Sequence, residues 1–60
     1  MIYGKMISWR THKEFIIFEL NHENNYIELI IYKHWIFNIE QINGGKYILF
    51  DNFKKEVFII

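Results

Sequence analysis

The chain has no cysteine, no proline and no alanine. Without cysteine no disulfide can brace the fold, and the composition fits a reducing compartment. Without proline, no strand carries the residue that most directly blocks pairing with another chain. An excess of charge is also missing, since seven basic residues balance seven acidic ones. Duplex-binding proteins usually carry a basic excess, because phosphate neutralisation dominates their affinity. Zero net charge therefore speaks against a duplex partner. It also removes the self-repulsion that keeps chains apart, which eases association. Long apolar runs are absent too. Stretches such as "FIIF" and "YILF" fall far short of the roughly 18–20 residues of a membrane-spanning helix. The start, "MIYGKMISWRTHK", has no continuous apolar h-region of a signal peptide. These absences lead to the expectation of a soluble, cytoplasmic protein without membrane contact.

What is present is apolar. Hydrophobic residues make up 52% of the chain and aromatic residues 20%, too much for a disordered segment. Sixty residues make one domain, 1–60. A chain of this size hides only about 60% of its unfolded surface, so it needs dense packing or a partner subunit. Thirteen isoleucines and six asparagines match AT-rich codons. A short reading frame from such a genome is common among viral and mobile-element genes, and that origin is the expectation here.

The dominant period is two. From Ile27 the odd positions read Ile27, Leu29, Ile31, Lys33, Trp35, Phe37, Ile39, an apolar row broken only by Lys33. The even positions read Tyr26, Glu28, Ile30, Tyr32, His34, Ile36, Asn38, Glu40. Alternation of this kind, in β-branched and aromatic residues, indicates strand. A helical alternative would stripe Ile27, Ile30, Ile31 and His34, in a composition poor for helix. The segment is long for one strand, so a break is expected near Tyr32 to His34. Asn43-Gly44 then suggests a type I′ hairpin that would pair Ile39 with Ile48 and Phe37 with Phe50. A Gly44-Gly45 loop would instead oppose Phe37 with Asn52. "DNFKK" reads as a turn and "EVFII" as a last strand. "LNHENNYI" reads as an Asn-rich turn after "KEFIIFEL". "KMISWRT" reads as a first strand with Ile7 and Trp9 on one face, Ser8 and Arg10 on the other. Thr11 to Glu14 matches a capping box, which allows a short helix near 12–20, but "FIIF" favours strand. The expected fold is all-β: an antiparallel meander of five to six strands, a curled sheet or small barrel.

Few residues suggest chemistry. His12, His22 and His34 lie ten and twelve apart and lack the close pairing of metal ligands; His12 with Glu14 is the nearest thing to a site. Ser8 and His12 would share a strand face about 13 Å apart, too far for proton transfer. "NGGK" lacks the spacing of a phosphate loop. The reading is a non-enzyme without cofactor or metal.

Binding is better supported. The odd face of 26–41 suffices for a core, leaving Tyr26, Ile30, Tyr32, His34 and Ile36 ringed by Glu28, Asn38 and Glu40. Aromatic residues at a centre with polar groups at the rim resemble interface anatomy. The candidate partner-binding residues are Trp9, Arg10, Tyr26, Glu28, Ile30, Tyr32 and His34. Trp9, Tyr26, Tyr32 and His34 would serve as anchors, with Arg10 and Glu28 setting orientation. The expected function is a protein–protein interaction module, such as a viral inhibitor that occludes a host protein. Alternatives are a single-strand nucleic-acid binder using Trp9, Arg10, Tyr32 and Lys33, and a self-associating subunit whose only partner is itself. The strand edges, "EVFII" among them, offer a further route to a homodimer.

Overall fold

The computed structural model describes residues 1–60. Five strands form one antiparallel sheet: β1 (Ile2–His12), β2 (Phe15–His22), β3 (Asn25–Tyr32), β4 (Tyr47–Asp51) and β5 (Glu56–Ile59). Their order across the sheet is β3-β2-β1-β4-β5. The all-β expectation holds, and the sheet is not closed into a barrel. β1 is the shared strand. Lys5 to His12 pair with β2, and Ile2 to Lys5 pair with β4.

Local chemistry explains the turns. Glu23 and Asn24 both adopt positive φ, 51° and 65°, as a two-residue type I′ loop requires. Lys13, at φ 55°, turns β1 into β2. The capping box at Thr11 to Glu14 therefore starts no helix. The residues after it are strand, because Ile16, Phe18 and Leu20 recur with period two and all three are buried. Between β4 and β5 the Asp51 carboxylate accepts hydrogen bonds from the amides of Phe53 and Lys54, at 3.0 and 3.1 Å.

Past Tyr32 the chain departs from the expected pattern. The break near "YKH" is there, as a 3₁₀ turn over Lys33–Trp35, but no second strand follows. A further 3₁₀ turn covers Ile39–Gln41. The Asn43-Gly44 hairpin does not form, and neither glycine there has positive φ. Ile48 and Phe50 pair with β1 and β5 instead of Ile39 and Phe37. The amides of Gly44 and Gly45 both donate to the Gln41 carbonyl, and a side chain at Gly45 would collide with Ile59. The physical reason is burial. A hairpin over 35–50 would leave the inner face of the sheet bare. The observed path carries the chain across that face from β3 to β4 and seats Ile36 and Ile42 in the core. Phe37, expected inside, is instead 76% exposed, and Ile39 is on the surface as well.

The core joins Ile36 and Ile42 to Ile16, Phe18, Leu20, Ile31, Ile48, Phe50, Val57 and Ile59. Fully burying one such side chain stabilises by about 1.5–3 kcal/mol, so this cluster dominates the favourable side. A bulge at Ile7 shifts the β1–β2 register between Met6 and Ser8. Ile7 is consequently exposed, while Trp9 packs against the core.

The two sheet edges are treated differently. Along β5, the Val57 carbonyl accepts from the Phe37 amide at 2.8 Å. The Asn38 side chain then accepts from the Ile59 amide at 2.8 Å and donates to the Ile59 carbonyl at 2.7 Å. Along β3 nothing comparable is present. Asn38→Ala should therefore leave both Ile59 backbone groups part-buried and unpaired, at a cost of about 1–3 kcal/mol. Urea unfolding checks this; an unchanged midpoint would contradict the assignment.

Candidate interface on the outer sheet face

Strand pairing assembles the candidate site. Arg10 lies opposite Ile17, and Ile17 opposite Ile30. Ser8, Glu19 and Glu28 form the neighbouring row. Asn21 with Tyr26, and Phe15 with Tyr32, complete the same side. Directly opposed residues share a face, so all of these point away from the core. Tyr26 is 62% exposed and Ile30 60%. Five of the seven sequence candidates, Arg10, Tyr26, Glu28, Ile30 and Tyr32, thus meet on one surface.

Two do not belong to it in the expected way. Trp9 lies opposite Phe18 and faces inward, because strand alternation sends it to the side opposite Arg10. His34 is exposed but sits in the 3₁₀ turn beyond the strand, its ring 5.3 Å from that of Tyr32. Tyr32 also contacts Phe15 at 4.5 Å and Trp35 at 5.2 Å between ring centroids. It therefore braces the end of the sheet as well as presenting surface.

Glu19 is the residue that sequence reasoning missed. Its carboxylate accepts from Arg10 Nη1 at 3.0 Å and from the Tyr26 hydroxyl at 2.5 Å. Arg10 Nη2 reaches on to Glu28 at 3.3 Å. One guanidinium thus ties β1, β2 and β3 together, and one cation against two carboxylates leaves the site with a negative excess. Exposed pairs of this kind add little stability. Their effect is geometric, since they hold Tyr26 and Arg10 in fixed orientations beside Ile17 and Ile30. The only hint in the sequence was an acid placed amid "FIIFEL".

The network shifts two protonation equilibria. The Tyr26 hydroxyl bond, helped by Ser8 and Arg10 and opposed by desolvation, holds the Glu19 carboxyl below its ordinary 4.5. The same bond, with desolvation and the nearby carboxylates, raises the Tyr26 phenol above its ordinary 10.0.

No cluster of three His, Cys, Asp or Glu side chains is arranged to hold a metal ion, and the surface has no pocket. No helix is long and apolar enough to cross a membrane.

A carboxyl more acidic in the folded state stabilises above its unfolded value and loses that contribution as pH falls through its folded value. Glu19 should therefore titrate below 4.5, and Tyr26→Phe should move it back upward, as read from its carboxyl carbon-13 shift. A Glu19 titration indifferent to Tyr26 would contradict the geometry. The arrangement stands on its own residues, for no family model, curated protein or solved structure matches this chain.

Proposed function

We propose that the protein is a non-enzymatic binding module whose outer sheet face covers a surface of another protein. The observation that carries this reading is the strip of exposed Ile30, Tyr32 and Tyr26 beside half-buried Ile17, next to the Arg10–Glu19–Glu28 network. Interfaces combine an aromatic and aliphatic centre with charges that fix orientation. The negative excess specifies the partner's chemistry: apolar side chains flanked by a Lys or Arg that engages Glu28. Occlusion is the mode of action, as a face without a pocket covers more readily than it transforms. A host protein in the cytoplasm, met by a viral or mobile-element inhibitor, is the instance that fits a composition rich in isoleucine and asparagine.

The nucleic-acid alternative is less well supported. Its aromatic and basic residues are divided between faces, Trp9 turning inward while Arg10 and Tyr32 turn outward. The Arg10 guanidinium is already committed to two carboxylates.

Ile17→Lys alters the centre of the face on an interior strand and leaves both sheet edges as they are. It should weaken partner retention by about tenfold or more, the scale of a hot-spot residue. Lys54→Ala, in the remote β4–β5 turn, should leave retention unchanged. Retention on immobilised protein checks both, with circular dichroism confirming the fold. Equal retention by Ile17→Lys and the parent, or retention of nucleic acid that falls steeply with salt, would overturn the reading.

A further inference from the structure

We infer that β3 is an interface for a second copy of this chain, joined edge to edge through antiparallel β3–β3 pairing. The inference is independent of the proposed function, because it uses backbone groups at the edge where that function uses side chains on the face.

The phase of the β2–β3 ladder identifies the free groups. The Lys33 amide donates to the Glu14 carbonyl at 2.8 Å. Hydrogen-bonded pairs alternate along an antiparallel ladder, so 16/31, 18/29, 20/27 and 22/25 are the bonded pairs. The amides and carbonyls of Tyr26, Glu28, Ile30 and Tyr32 therefore point outward from the sheet. None of the turn, loop or side-chain hydrogen bonds uses them. Natural sheets blunt such an edge with proline, charged side chains (lysine above all), a bulge or a covering segment. This strand has no proline, no lysine and no bulge, and Glu28 is its one charge. The same chain spends Asn38 and Phe37 on closing its other edge.

The edge is complementary to itself. A two-fold axis beside Leu29 sets Tyr26 opposite Tyr32 of the second copy, and Glu28 opposite Ile30. In that register every free residue meets a free residue. A shift by two in one direction would oppose Glu28 with its own copy. A shift by two in the other would pair Tyr26 with His34, which has left the strand. In the favoured register the two Glu28 carboxylates lie only on a diagonal, and each keeps its contact with Arg10 of its own chain, which it shares with Glu19. Zero net charge places no long-range repulsion against the union. The outer faces of the two copies would then be continuous, which doubles the apolar strip.

Three variants, read by disulfide formation and light scattering, test this. The chain has no cysteine, so introduced thiols report without background. Opposed residues in a bonded antiparallel pair lie about 5.5 Å apart at Cα, within disulfide range. A mixture of Tyr26→Cys and Tyr32→Cys proteins should form the mixed disulfide under mild oxidation, whereas either variant alone should remain reduced. Ile30→Pro removes one outward donor and no bond of the β2 ladder. It should stay folded by circular dichroism and remain monomeric where the parent dimerises in light scattering. A parent that is monomeric at every concentration would overturn the inference. So would a dimer that persists in folded Ile30→Pro. If Ile30→Pro fails to fold, the mixed disulfide decides alone, and its absence would overturn the inference.

Discussion

The fold depends on how one sheet finds a second layer. A single sheet has two faces, and a chain of this length has no helix to lay on either. The segment from Lys33 to Lys46 meets the need by crossing the inner face with Ile36 and Ile42 turned down. What fixes its path is the side chain of Asn38, which binds both backbone groups of Ile59. With Asn38 in place, Phe37 bonds Val57, Ile42 is seated, and the β5 edge is closed. Without it, the β5 edge would keep the Phe37 amide on the Val57 carbonyl but lose both bonds at Ile59.

That solution makes the molecule asymmetric. One face is covered and the other bare. One edge is closed by the chain's own residues and the other left open. The bare face and the open edge share residues: Tyr26, Glu28, Ile30 and Tyr32 present side chains to one and backbone groups to the other. The Arg10–Glu19–Tyr26 contacts give this surface a fixed shape at little energetic gain.

Legibility in the sequence follows the reach of period two. Up to Tyr32, alternation correctly placed Ile27, Leu29 and Ile31 inside and Tyr26, Glu28, Ile30 and Tyr32 outside. The 3₁₀ turn at Lys33–Trp35 then advances the chain out of phase, so Ile36 enters the core and Phe37 leaves it. Asn43-Gly44 has the chemistry of a hairpin, but covering the inner face outweighs a local turn preference. The bulge at Ile7 is equally silent in sequence, since one extra residue leaves no mark in the alternation until its partner strand is known. Alternation could set Arg10, Glu28 and Tyr26 each on an outward strand face. Their meeting through Glu19 could not be read, because it arises only where three strands lie side by side.

The most direct measurement is residue-resolved amide hydrogen exchange on dilute protein. If the chain closes its β5 edge and leaves β3 open, the amides of Phe37 and Ile59 exchange slowly. Those of Tyr26, Glu28, Ile30 and Tyr32 exchange near their intrinsic rates and slow as concentration rises. Fast exchange at Ile59 and Phe37, matching that of Tyr26 and Ile30, would contradict the account at its foundation.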